Sequence, residues 1–174
     1  MILSRRRWSL SLAAISVGLL VYAWNADAQP WGPQLRVEYA VEQIAGRDVD
    51  LDCSYMGRGA DAVTYPDYRP RPWVVVKAAR CGQARSFALK PTVAAADALL
   101  VLTHEALHAR RWAGARDERA VECQALIEVV VMARLLGGSG ADTAAVAERA
   151  ARFHEFEWGF TCPADDGAPV KDAA

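Results

Sequence analysis

A chain of 174 residues, 53% of them hydrophobic, is long enough for one compact domain with its own core and short for two. Its formal net charge of −1 provides no molecule-wide field to steer nucleic acid or an acidic surface toward it, which argues against either as a partner.

At the N-terminus, Arg5, Arg6 and Arg7 precede an uncharged apolar stretch from Trp8 to Trp24, and Ala26-Asp27-Ala28 has the small-x-small pattern of a signal-peptidase site. Residues 1–28 are therefore expected to be a signal peptide cleaved after Ala28, or, if retained, a signal anchor through residues 8–24. Either outcome exports the chain, to be secreted, periplasmic or held at the cell surface. The only membrane partner foreseen is this N-terminal segment. All four cysteines, Cys53, Cys81, Cys123 and Cys162, follow it, and an even number in an exported chain reads as two disulfides. Three connectivities are open. Cys53–Cys81 with Cys123–Cys162 is preferred because each bridge closes a local loop. No CxxC-like pair exists to make a cysteine zinc site.

Residues 29–162 are expected to form a single domain of α+β class, mainly helical, with a small irregular β region ahead of a zincin-like helix pair. Leu35–Ile44 has the pattern of a short helix, and Val49–Cys53 alternates as a half-buried strand does. From Gly57 to Pro72 the glycines, aspartates and prolines predict a long loop without regular structure. Trp73–Lys77 is the clearest strand, and Cys81-Gly82 is expected to close the piece after it. The second half is helical. One helix is predicted from Val93 to Arg111 with Thr92 as its N-cap, and a second from Glu118 to Leu136 with Asp117 as N-cap and Gly137-Gly138 as its stop. A third runs from about Thr143 to Trp158. The polar tail, 163–174, is expected to be disordered.

His104-Glu105-Ala106-Leu107-His108 is HExxH. Residues four apart lie one above the other on a helix face, so both imidazoles can reach one zinc ion, and Glu105 between them can act as general base toward a water that the metal acidifies. A chance match in a polar helix face is the competing explanation. Against it, two of the chain's three histidines are in the motif and the motif falls within a predicted helix. A short turn to a second, antiparallel helix brings Glu118 level with His108 and Glu122 level with His104. Glu118 is the expected third ligand and Glu122 the partner that orients His104 through its other ring nitrogen; the reverse assignment stays open. Taken alone, both glutamates would read as a solvated helix face. His154, Tyr65 and Tyr68 are the candidates to stabilise the oxyanion or protonate the leaving amine. His154, between Phe153 and Phe156, also fits a packing role.

The run from His104 to Gln124 resembles the gluzincin, thermolysin-like metallopeptidases, in which HExxH on one helix is completed by a glutamate on the next. In that family an acidic residue commonly follows the liganding glutamate by four, and Glu118-Arg119-Ala120-Val121-Glu122 matches with Glu for Asp. Asp117-Glu118 and Glu122-Cys123-Gln124-Ala125 are also similar to a motif of small exported bacterial proteins with the same HExxH. The resemblance implies a zinc hydrolase with a peptide or protein substrate. The alternative is a non-catalytic zinc-containing domain, a pseudo-protease supporting interactions at the cell envelope; a disulfide-stabilised helical protein without metal is a third reading.

Overall fold

The computed structural model describes residues 32–158, apart from 56, 112 and 113, together with Cys162. The expectations for residues 1–28 and 163–174 lie outside the described residues. Among those described, no helix is long and apolar enough to cross a membrane. The architecture is α+β and mainly helical, as expected. In chain order it runs α1 (Pro33–Ala45), β1 (Asp50–Tyr55), β2 (Ala62–Tyr65), β3 (Trp73–Lys77), α2 (Ala78–Leu89), a 3-10 turn (Val93–Ala95), α3 (Ala96–Ala109), α4 (Glu118–Leu135) and α5 (Gly140–Trp158).

Helix α3 is the centre of the molecule. Ten of its fourteen residues are buried, so it is apolar on nearly all sides and must be enclosed by other elements. Helices α1, α2, α4 and α5 pack against it, as do β2 and β3. Leu99, Leu100, Leu102 and Leu107 are all but fully buried, each contributing about 1.5–3 kcal/mol of transfer free energy. The helix starts three residues later than the predicted Val93. Thr92 makes no side-chain cap, and the 3-10 turn intervenes.

The terminal signals of α4 and α5 act as their chemistry dictates. The Asp117 carboxylate accepts from the backbone N–H groups of Arg119 and Ala120, at 3.0 and 3.2 Å. At the other end of α4, Gly137 has φ +98°, and the N–H groups of Gly137 and Gly138 donate to the carbonyls of Arg134 and Ala133, both at 2.9 Å. This paired closure needs a residue that tolerates the left-handed region. Ser139 and Asp142 then form a reciprocal box that opens α5.

The sheet has the order β1-β3-β2, with β1 parallel and β2 antiparallel to the central β3. Strand β3 buries Val74 and Val76 on the face toward the helices. Two elements depart from the sequence reading. Strand β2 lies within the segment expected to be an irregular loop, and α2 continues through Cys81 and Gly82, where an end was expected. Four residues between glycines and Pro66 are too short to register as a strand. Pairing of Thr64 with Val74 and Val63 with Val75 supplies what local propensity does not. Asp61 anchors the start of β2 by accepting from Lys77 Nζ at 2.8 Å and Arg80 Nε at 2.7 Å. In α2, the glycine's helix penalty, about 1 kcal/mol, is offset by burying Cys81, Ala84, Phe87 and Ala88 on one face.

Both preferred disulfides are present, Cys53–Cys81 tying β1 to α2 and Cys123–Cys162 tying α4 to the chain beyond α5. Such bridges are compatible with an extracellular location. A Cys53→Ala/Cys81→Ala chain should unfold at lower urea, losing about 3 kcal/mol for the 28-residue separation. Urea unfolding followed by circular dichroism measures it.

Candidate metal centre

The motif sits on the last two turns of α3, and α4 returns antiparallel beside it. His104 Nε2 and His108 Nε2 lie 3.0 Å apart. Glu118 Oε2, from the first turn of α4, is 3.3 Å from the former and 3.4 Å from the latter. A tetrahedral ion with bonds of about 2.0–2.1 Å needs donor atoms about 3.3 Å apart. The three donors therefore form one face of a tetrahedron of the right size for a first-row divalent metal.

Tautomers follow from the outer ring nitrogens. His108 Nδ1 is 2.7 Å from the carbonyl of Ala115, which can only accept, so Nδ1 carries the proton and Nε2 of the neutral ring presents a lone pair. His104 Nδ1 donates to Glu122 Oε2 at 2.7 Å, and the other oxygen of that carboxylate accepts from His154 Nδ1 at 3.0 Å. Burial of Glu122 raises its pKa, but these two hydrogen bonds outweigh it, and the net shift is downward. An ionised Glu122 likewise directs the His104 Nε2 lone pair inward. Three electron-rich atoms thus converge on one point, an arrangement that repels itself unless a cation lies between them. The residues fit a metal ion.

No fourth His, Cys, Asp or Glu joins these three among the described residues, and no cysteine is free to contribute a thiolate. The Glu118 side chain is 67% exposed, so the remaining side of the centre opens to a cleft. That cleft, about 620 Å3, is lined by Ala60–Thr64 of the β2 edge, Val101 and Phe153 as well as the centre itself. A centre with three protein donors and an open side is the pattern of metal sites that do chemistry rather than hold a fold together.

Glu105 lies in the same cleft, buried, and outside the set of three. Burial pushes its carboxyl upward; a hydrogen bond from Thr64 and the neighbouring imidazoles of His104 and His108 pull the other way without cancelling the rise. Thr64 Oγ1 is 2.6 Å from Glu105 Oε2 and 3.0 Å from the Glu105 carbonyl. With one proton to give, the hydroxyl donates to the carboxylate when Glu105 is ionised. When Glu105 is protonated, Thr64 accepts from it and donates to the carbonyl instead. Sequence reasoning missed Thr64 because it stood in an assumed loop. The only signal was the β-forming triplet Val63-Thr64-Tyr65.

The proton-donor candidates are elsewhere. Strand alternation turns Thr64 toward α3 and its neighbour Tyr65 away. Tyr65 stacks on Trp73, ring centroids 5.3 Å apart, and Tyr68 covers the same indole at 5.4 Å. Neither lines the cleft. His154 does not line it either; it is buried behind Glu122, supporting the carboxylate that supports His104. Glu118 and Glu122 take the expected positions, not the reverse.

Compared with protein-family models, curated proteins and solved structures, the chain gives no match.

Removing the Glu122 carboxylate should weaken the centre without removing a donor. Glu122→Ala is expected to lower divalent-metal affinity 10–100-fold, and Glu118→Ala to lower it further, as read by competition with a chromophoric chelator. Burial lowers the pKa of His104, but the Glu122 hydrogen bond and three nearby carboxylates outweigh it and raise the net value. Protonation therefore competes with metal from a higher pH than for an ordinary histidine, and affinity should begin to fall above about pH 6.5 on acidification.

Proposed function

We propose that this chain is an exported zinc-dependent metallopeptidase, a hydrolase in which Glu105 is the general base. The observation that carries the reading is the open three-donor face of His104, His108 and Glu118, with a buried, hydrogen-bonded Glu105 beside it in a cleft bordered by a strand edge. Two imidazoles and one carboxylate in tetrahedral spacing suit zinc among the common metals. HExxH on one helix and the ligand on the next, antiparallel helix support the likeness to gluzincins. The two disulfides support export.

A bound zinc ion would supply Lewis acidity, lowering the pKa of a water molecule and polarising the scissile carbonyl. The protein's own groups do the rest. The edge of β2 offers backbone groups to an extended peptide, which would add to the sheet as a further strand. Val101 and Phe153 give the cleft an apolar wall for one substrate side chain. Glu105 takes the proton of the attacking water and returns it to the leaving nitrogen, and Thr64 hydrogen-bonds Glu105 in both of its protonation states.

A second reading, a zinc-containing domain that binds without cleaving, draws on one observation. Among the described residues the cleft contains no tyrosine, lysine, arginine or further histidine to stabilise an oxyanion. One variant separates the two. Glu105→Gln should keep the metal and lose hydrolysis of a broad peptide library by about 100-fold or more; if wild type and variant are equally inert, the binding domain is the correct reading. Thr64→Val should reduce kcat by about tenfold with metal retained, the cost of one hydrogen bond to a charged group. Because the Thr64 bond lowers the Glu105 pKa, its loss should also move the acid limb of the pH–rate profile to higher pH.

A further inference from the structure

On the far side of His108 from the cleft, the surface is built of arginines. A cavity of about 760 Å3 is lined by Arg47, Arg71, Arg110 and Arg111 together with the α1–β1 turn and Pro70. A smaller neighbour, about 350 Å3, shares Arg47, Pro70, Arg110 and Arg111 with it and adds Arg69. The two are therefore one continuous basin.

Its arginines divide into two groups. Arg110 donates through both terminal nitrogens to the Glu128 carboxylate at 2.7 Å and also binds the Ile44 carbonyl, so it is a fixed wall. Arg71 sits 3.8 Å from Asp50, and Arg116 at the rim 3.4 Å from Asp67. Arg47, Arg69 and Arg111 make no side-chain hydrogen bond or ion pair among the described residues. Asp48, the carboxylate on the wall of the larger cavity, pairs with none of them. The three crowd one another: burial, then the charges of Arg111 and Arg69, pull the Arg47 guanidinium below its usual pKa. Gathering three unpaired guanidiniums in a concave site costs free energy in the isolated protein, and an anion recovers that cost.

We propose that Arg47, Arg69 and Arg111 form a binding site for a phosphate group, carried either by a soluble phosphate ester or by a phospholipid headgroup. A carboxylate is the weaker match, since it offers one charge and two oxygens and is satisfied by a single bidentate arginine. A terminal phosphate carries nearly two charges on three oxygens, enough for three planar forks around it. The volume is that of a small-molecule site. The site does not depend on the peptidase reading, for none of the three arginines touches the metal centre.

The full chain is titrated with inorganic phosphate and with pyrophosphate at constant ionic strength by calorimetry. In a second arm it is floated with vesicles of equal parts phosphatidylglycerol and phosphatidylcholine, against pure phosphatidylcholine vesicles. Saturable pyrophosphate binding that Arg47→Gln/Arg111→Gln weakens by at least about tenfold supports the site with a soluble ligand. Absence of free-anion binding, with excess capture by the anionic vesicles that the same variant loses, supports it with a headgroup ligand. Arg149→Gln/Arg152→Gln removes equal charge at two arginines outside the basin and should change neither result. The proposal is overturned if neither probe binds, if the basin variant binds as wild type, or if the control variant loses as much. Melting curves establish that each variant is folded; should the glutamine pair not fold, Arg47→Lys/Arg111→Lys keeps the charge, loses the forks and should still bind several-fold more weakly.

Discussion

Glu122 is the residue through which the centre and the core hold each other. One oxygen accepts from His104 on α3 and the other from His154 on α5, while its own backbone belongs to α4. Three helices are thus fixed by one buried carboxylate. A charge so placed is stabilising only if every lone pair that leaves water finds a donor, and two imidazole N–H groups meet that condition. The next residue, Cys123, is bonded to Cys162, and Cys162 Sγ lies 3.9 Å from His154 Nε2. The disulfide therefore closes behind the histidine that closes behind the glutamate. Each layer orients the one in front of it, and the front layer is the lone pair that His104 turns toward the metal position.

The parts legible in the sequence were those whose cause is local. Asp117 caps α4 and Gly137 ends it because one carboxylate and one absent Cβ suffice. His104 and His108 share a face because four residues make about one turn. Even the Glu118 and Glu122 positions follow from a short turn between antiparallel helices. What was not legible has non-local causes. Strand β2 exists because β3 pairs with it and Asp61 is held by Lys77 and Arg80. Helix α2 tolerates Gly82 because tertiary burial outweighs propensity.

The missed strand is what changes the reading of the site. With a loop there, Tyr65 and Tyr68 are free to reach over the metal; with a strand, pleating sends successive side chains to opposite faces. Thr64 then meets Glu105, and Tyr65 stacks on Trp73. A one-residue shift of register would exchange them. The assignment of a hydrogen-bonding partner to the base is thus a statement about the pairing of Thr64 with Val74, and no single-residue property of threonine or tyrosine could have predicted it.

Charge makes the same point on a larger scale. A net charge of −1 excludes a field over the whole molecule, but charges interact over about 8 Å at physiological salt, so what a ligand meets is local. Arg47 follows α1, Arg69 follows β2 and Arg111 follows α3; separated in sequence, they form no run that a sequence scan detects. Folding sorts them. The carboxylates of Glu105, Glu118 and Glu122 gather on the cleft side of His108, and the unpaired guanidiniums gather on the other. That separation puts a cation site and an anion site on either side of one imidazole, within a chain that is close to neutral by composition.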